Sequence, residues 1–485
     1  MGQEITTDKF SKQDLLNFNR QLKLETAELQ QWFENNLFSF HKPVAGYEME
    51  AWLIDQHGRP AMCNEQFLKA ANNPLYTAEL AQFNIELNSH PMDIQSKFLS
   101  EFEKDFQQHW SDCQAVAQSI NCRILSTGIL PTLCSDDLNM DNLSRITRYQ
   151  ALNEQVLKQR QGRDFQLRIK GREFLENTHQ NVMLEAAATS LQIHLQVPLA
   201  RAHHYYNASL LVSAPMVAIS ANSPYLFTRD LWAETRIPLF EQAVETGGYM
   251  GAAQGPVRRV SFGTDFARHS LMECFIENLQ HYPVLLPVAF TEDVSLMQHL
   301  SLHNGTIWRW NRPLVGFDKD GTPHLRIEHR VIPAGPSVTD NIANMAFYSG
   351  LVQYYGTLAT PPNELLSFSE VKDNFYTSAQ FGLENKVSWP GCQRCEMRHL
   401  ILHKLIDYAE QGLQSLHLDS TDIDYYLGII QARAEHRKTG SHWQREFVSK
   451  HINSRGDNMS QLLKTYYHNQ QTGQPVHLWD YMSHV

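Results

Sequence analysis

The chain lacks any apolar run of membrane-spanning length; its longest uncharged stretch, residues 207–228, is punctuated by Ser, Asn and two prolines. Its first residues are not expected to form a secretory leader. It also lacks the compact signatures that hold nucleotides or build nucleophiles. There is no Gly-x-x-x-x-Gly-Lys loop, no Gly-x-Gly-x-x-Gly after a strand, no Gly-x-Ser-x-Gly elbow and no His-Glu-x-x-His. A nucleotide, if used, must therefore be held by metals and arginines. Basic charge is in deficit, with 41 Lys and Arg against 52 Asp and Glu and a formal net charge of −11. That balance argues against a nucleic-acid partner, which needs basic patches to neutralise phosphates. Cysteine is scarce and odd in number, seven in 485 residues, which suggests a reducing compartment rather than a disulfide scaffold. The expectation is a cytoplasmic protein that binds no membrane. What is present is an ordinary globular composition, 42% hydrophobic and 19% charged, long enough for a large domain plus an extension.

The most informative stretch is Ala45-Gly-Tyr-Glu-Met-Glu-Ala-Trp-Leu-Ile54. Side chains alternate faces along a strand, so Glu48 and Glu50 point the same way, roughly 7 Å apart, with Tyr47, Met49, Ala51 and Leu53 opposite. Carboxylates are poor strand formers, so the pair calls for a reason. A solvated outer face is one; a pair of divalent cations is the other. Three further segments repeat the pattern. Residues 83–88 put Asn84, Glu86 and Asn88 on one face and Phe83, Ile85 and Leu87 on the other; residues 191–197 group Gln192, His194 and Gln196; residues 325–331 group Arg326, Glu328 and Arg330. If the four strands share a sheet, one face packs on helices. The other then carries four glutamates, a histidine and two arginines, with no lysine. Solvated faces favour Lys, Thr and Ser, whereas hard cations take carboxylate oxygens together with substrate phosphates, and arginine grips phosphate or carboxylate bidentately. A glycosidase pair would leave His194 and the arginines without a role.

Around these strands the pattern predicts an amphipathic helix over 13–38, a helix with a core stripe over 94–120, a helix over 145–160, a long, mostly apolar helix over 201–221, and a further strand over 124–130. Residues 307–313 and the Glu328 segment, joined through Gly316 and Gly321, read as a hairpin. Glycines between Gly247 and Gly255 mark a candidate lid. After Pro361-Pro362 the texture becomes helical, over about 365–385, 396–416, 421–438, 442–452 and 458–470. Thr421 with Asp424 suggests a capping-box variant. The basic stretch Arg433 to Lys438 reads either as charge at a helix C-terminus or as a flap reaching a phosphate. Cys392-Gln-Arg-Cys395, followed by His399 and His403, reads as two thiols at a helix start, with a zinc site as the alternative.

The order of motifs resembles the glutamate–cysteine ligase family of carboxylate–amine ligases, in the glutamine-synthetase superfamily. The pieces are Gly46-Tyr-Glu48-Met-Glu50, Ile85-Glu86-Leu-Asn88-Ser-His-Pro91, Arg148-Tyr149-Gln-Ala-Leu-Asn153, Ser190-Leu-Gln192-Ile-His194-Leu, Ala221-Asn-Ser-Pro224, Arg236, Asn311-Arg312-Pro313, Arg326-Ile-Glu328-His-Arg330 and Ile332-Pro-Ala-Gly335-Pro-Ser-Val-Thr-Asp340. The resemblance, over about residues 43 to 350, implies an α+β fold, with a curved antiparallel sheet forming a catalytic funnel and helices packed outside it; the helical C-terminal extension lies outside the resemblance and is read from the change of texture in the chain. The expected divisions are an N-terminal helix over 1–42, a catalytic domain over 43–356 and a helical region over 357–485. The resemblance implies an amide-forming ligase using ATP and Mg²⁺ or Mn²⁺ through an acyl phosphate, with glutamate and cysteine as the default amino-acid substrates. The alternative is an ATP-binding regulatory or phosphotransferase relative. By position, Glu48, Glu50, Glu86, His194 and Glu328 are expected to ligate metal. Arg330, Glu328 and Glu50 are expected to carry the chemistry. His194, Arg236, Arg312, Arg148 and Arg326 are expected to hold the nucleotide or substrate. A homo-oligomer is left open.

Overall fold

The computed structural model describes residues 5, 7–246, 258–451 and 455–482; the glycine-rich candidate lid lies outside these. The alternating segments do join one eight-stranded sheet. In chain order its strands are β1 (Val44–Ile54), β2 (Tyr76–Ala78), β3 (Asn84–Asn88), β4 (Met92–Asp93), β5 (Arg123–Leu125), β6 (Ser190–Val197), β7 (Asn311–Phe317) and β8 (Pro323–Pro333). The spatial order is β7-β8-β6-β1-β3-β2, with β4 and β5 also pairing β1, and all of these pairings are antiparallel. The sheet curls into a half-barrel. The principal helices are α1 (Lys12–Glu34), α2 (Phe98–Ser119), α3 (Thr147–Gln159), α4 (Ala202–Ser220), α5 (Gln298–Gly305), α6 (Val338–Thr357), α7 (Ile406–Ser415), α8 (Ser420–Glu435), α9 (Gly440–Lys450) and α10 (Arg455–Gln471).

The apolar side of the alternation makes the larger core. Tyr47, Met49, Ala51, Ile85, Leu87, Leu191, Ile193, Leu195, Leu325 and Ile327 are buried in one cluster with the inner faces of α2, α4 and α6. Each fully buried Leu or Ile contributes roughly 1.5–3 kcal/mol. The Tyr47 ring stacks on Phe106 of α2 at 4.1 Å. The expected α2 stripe (Phe98, Phe102, Phe106, Trp110, Cys113, Ala117) is buried throughout. On α1, Phe18, Leu22, Leu29 and Trp32 are buried, whereas Leu15 is 38% exposed. These α1 residues join a second core with Trp52, Phe83, Met183, Leu300 and the C-terminal Trp443, Tyr466 and Trp479.

Several local expectations change. The strand predicted over 124–130 ends at Leu125, because the Thr127 carbonyl accepts from the Trp52 indole rather than from a neighbouring strand. A hairpin over Phe165–Lys170 and Phe174–His179 was not anticipated. Cys392 and Cys395 lie on a strand (Cys392–Glu396), not at a helix start, and are joined as a disulfide. The N-cap of α8 is Asp419, which accepts from the Thr421 and Asp422 amides, rather than Thr421. Arg433 is buried against Asp340 at 3.0 Å and Asn344 at 2.7 Å, and Lys438 donates to the Trp479 carbonyl. The basic stretch therefore includes a core brace and a chain-end tie.

Residues beyond 357 supply buried side chains to both cores. The Tyr466 hydroxyl of α10 donates to the Ser126 carbonyl at 3.0 Å and accepts from Asn222 Nδ2 at 2.8 Å. Helices α6 and α7 approach backbone to backbone: a Cβ at Gly412 would lie far inside van der Waals contact distance of the Gly350 carbonyl oxygen. Only glycine fits that crossing. Gly412→Ala is expected to destabilise the protein by about 1–3 kcal/mol through overpacking, lowering the thermal midpoint, whereas Gly428→Ala, exposed in α8 with open space around its Cβ, is the helical control expected to hold or raise the midpoint, because alanine is favoured over glycine inside a helix.

Candidate functional site

Register sets the polar face. Glu50 lies opposite Glu86 and Glu48 opposite Asn88 across β1–β3, while Glu48 lies opposite Gln192 across β1–β6. Glu328 lies opposite His194 across β8–β6, and Arg312 opposite Glu328 across β7–β8. Directly paired residues share a face, so these side chains converge on one cavity of about 420 Å³. Its polar wall is formed by the strand side chains with Glu79, Glu185, Arg148 and Tyr149; its apolar wall includes Leu286, Leu300, Leu302, Trp308, Leu314 and Val315.

Two clusters within it have the donor chemistry of a cation site. Glu48, His194 and Glu328 each bring one ligand atom within 4.8 Å of the others, and Glu50, Glu79 and Glu86 do the same. In the first, His194 Nε2 is 3.2 Å from Glu48 Oε1 and 3.8 Å from Glu328 Oε1, and neither ring nitrogen completes a hydrogen bond. A buried imidazole held that way is available as a ligand. Burial acts to raise the Glu48 carboxyl, but His194 outweighs it and holds the group well below the usual range. Burial acts on Glu328 likewise, and Arg312, Arg330 and His194 overcome it, bringing the group to about 2. Arg312 grips Glu328 with two parallel bonds of 2.7 and 2.9 Å, and Arg330 Nη1 is 3.3 Å away.

The second cluster has the opposite electrostatics. Burial, reinforced by Glu86, pushes Glu50 up to about 7 despite Arg330. Burial and neighbouring carboxylates also raise Glu79 and Glu86. Burial, with Glu50 beside it, pushes Glu185 up to about 8. Glu50 is held by the Ser190 amide at 2.6 Å and the Gln192 amide at 3.0 Å; Glu86 accepts from Asn88 at 2.9 Å and Thr77 at 3.1 Å. Carboxylates crowded this way are relieved by a hard divalent cation, which takes six to eight oxygens as Ca²⁺ or an octahedron as Mg²⁺. The residues present fit such an ion.

Arg330 owes its aim to a bulge. Between His329 and Ile332 the β8–β6 register shifts, so Arg330 and Val331 together oppose Gln192. Such bulges re-aim side chains beside functional sites. Arg330 donates to Gln192 Oε1, and its carbonyl and that of Val331 accept from Arg236 Nη2. This corrects the expectation for Arg236. It is buried behind the bulge, 3.4 Å from Glu234 and over the Trp310 ring, and does not line the cavity. It braces the strand from behind. Arg312 does line the cavity, but much of its guanidinium is engaged by Glu328 and by the Gly305 carbonyl at 3.1 Å. Arg326 lines the cavity with an unpartnered Nε. Arg148 lines it as well, bonded to the Tyr149 hydroxyl at 3.0 Å.

Glu79 and Glu185 escaped the sequence reading. Glu79 extends the alternation of Thr77, which lies opposite Glu86, so a signal existed in a strand too short to stand out. Glu185 sits in a 3₁₀ turn (Val182–Ala187), where alternation assigns no face.

The sequence model of glutamate–cysteine ligase family 2 (GCS2) matches residues 44–465. The chain belongs to that family. It is thus a member of a carboxylate–amine ligase family, and the matched region spans every strand of the sheet. Among solved structures, the fold is similar to glutamate–cysteine ligase from Francisella tularensis, determined in complex with AMP, at 12% identity and a TM-score of 0.56 over 90% of each chain. It is also similar to a bifunctional glutathione synthetase from Pasteurella multocida, at 11% identity and a TM-score of 0.54, covering 92% of this chain and 54% of that one. No curated protein sequence matches the chain. Among the described residues no helix is long and apolar enough to cross a membrane.

Glu79→Gln removes one ligand oxygen of the acidic cluster while keeping its volume. It is expected to weaken Mn²⁺ binding at one of two sites by at least about tenfold, read by calorimetric titration, while the thermal midpoint of the metal-free protein is unchanged or higher because crowding of charge is relieved. Unchanged Mn²⁺ affinity at both sites would remove Glu79 from the ligand set.

Proposed function

We propose that the protein is an ATP- and Mg²⁺-dependent carboxylate–amine ligase that forms an amide through an acyl phosphate, with glutamate and cysteine as default substrates. The observation that carries this reading is the pairing, in one cavity, of two cation-ready clusters on either side of β1 with arginines aimed between them. The AMP bound to the Francisella relative supports a nucleotide in a fold of this kind. When bound, the divalent cations supply charge neutralisation on the phosphates and orient the oxygens to be transferred.

This chain's residues would do the remainder. The apolar wall of Leu286, Leu302, Trp308 and Val315 suits a nucleobase, and the strand face suits its phosphates. Arg330, held by Gln192 and by the braced bulge, would meet charge developing on the transferring phosphoryl group, and preorganised donors of this kind need no rearrangement as the charge appears. Glu328 would keep Arg330 and Arg312 in register while presenting an oxygen to the cation. Arg326 and Arg148 would hold phosphate or substrate carboxylate. The burial of this wall would exclude water from the acyl phosphate, leaving the amine as the nucleophile.

The test is ADP release by the purified protein with Mg²⁺, ATP and a panel of amino acids, with hydroxylamine added to trap an acyl phosphate as the hydroxamate. Glutamate-dependent ADP and hydroxamate, both lost in Glu50→Gln, are expected. ADP without hydroxamate, given a guanidino acceptor, would replace the ligase with a phosphotransferase. ATP binding without turnover of any carboxylate would point to a regulatory relative.

A further inference from the structure

Helix α1 lies wholly before residue 44, where the family match begins. It nevertheless reaches the cavity through a buried carboxylate. Glu25, only 2% exposed, accepts from the Leu300 amide at 2.6 Å, and His299 Nδ1 lies 2.6 Å from its other oxygen. Both partners belong to the first turn of α5. No side chain of α5's own N-cap, Met297, caps that turn, so the orphan amide is satisfied from another helix. Phe18 of α1 packs edge-on against the His299 ring at 5.0 Å. Glu25 is thus a cap supplied in trans.

What α5 does makes the cap matter. Leu300, Ser301, Leu302, Asn304 and Gly305 line the cavity. At its far end, the Gly305 carbonyl accepts from Arg312, the residue that grips Glu328. Eight residues at about 1.5 Å each make a rod roughly 12 Å long, pinned at one end by Glu25 and at the other by Arg312. The chain of contacts runs from α1 through α5 and Arg312 to Glu328 and His194.

We propose that Glu25 is a positioning residue for the active cavity: α1 seats the α5 wall, and with it the Arg312–Glu328 pair, for nucleotide binding. This rests on the nucleotide- and metal-binding reading above. Without Glu25, α5 loses its cap and the apolar wall is no longer held at a fixed distance from the strand face. The chemistry on the strands is untouched, so the effect falls on affinity for nucleotide, with a lesser effect on turnover.

The experiment compares the full-length wild type with Glu25→Ala, the conservative Glu25→Gln and Leu29→Ala, which loosens α1 packing in the second core while leaving the Glu25 hydrogen bonds to α5 in place. Binding of a non-hydrolysable ATP analogue with Mg²⁺ is read by calorimetry, and amide exchange over residues 299–306 by mass spectrometry on the ligand-free protein. Glu25→Ala is expected to weaken analogue binding by at least about tenfold and to speed exchange over 299–306, with partial rescue in Glu25→Gln. Leu29→Ala is expected to lower the thermal midpoint without either change. Analogue affinity unchanged in Glu25→Ala, or lost equally in Leu29→Ala, would reduce α1 to a purely structural role and overturn the proposal. A wild type that binds no nucleotide would instead sink the ligase reading. Exchange over 299–306 would then decide alone, with unchanged exchange in Glu25→Ala refuting the positioning role.

Discussion

The register of β1 against its neighbours is the constraint on which this molecule depends. Because side chains alternate, a slip of one residue would turn Glu48 and Glu50 into the core and Tyr47, Met49 and Ala51 into the cavity. The apolar face resists that slip, since Tyr47 stacks on Phe106 and the β1, β3, β6 and β8 apolar residues are buried against α2, α4 and α6. Hydrophobic burial on one side of the sheet therefore positions charge on the other. The carboxylates are unfavourable passengers, and they are tolerated because the packing beneath them is stronger than their repulsion.

That cost is managed differently on the two halves of the site. Around Glu328, arginines from β7 and β8 supply the compensating charge within the protein, so the carboxylate stays ionised. Around Glu50, Glu79 and Glu86, burial and the repulsion among carboxylates outweigh Arg330 and Arg148 and push protons onto the group. One half balances its charge within the protein, while the other keeps three crowded carboxylates of the kind that suit a divalent cation. The same division explains the bracing behind the bulge. A buried Arg236–Glu234 pair contributes little net stability, but its placement holds the carbonyls of Arg330 and Val331 and so the aim of the one arginine that couples both halves.

Much of the site was legible because alternation in a strand is a local property. Glu48, Glu50, Glu86, Gln192, His194, Arg326, Glu328 and Arg330 share a face by parity alone, and parity needs only that the segment be extended. Glu79 was obscured by the brevity of β2, and Glu185 by a 3₁₀ turn in which neighbouring positions do not alternate. Arg236 misled for the converse reason: its place in a motif says that it matters, not which way its guanidinium points. The Cys392–Glu396 strand was missed because five extended residues among strong helical patterns carry too little periodicity to register.

The sequence by itself determined the faces of the strands, the burial of the helical stripes and the chemical character of the cavity wall, because each follows from spacing within a few residues. Only tertiary structure decided which strands are neighbours, that five of the six cavity carboxylates join His194 in two cation-ready triads with Glu185 outside them, and that α1 caps α5 across more than 270 positions of chain. Such pairings depend on long-range packing, and local spacing carries no record of which distant surface a buried side chain will meet.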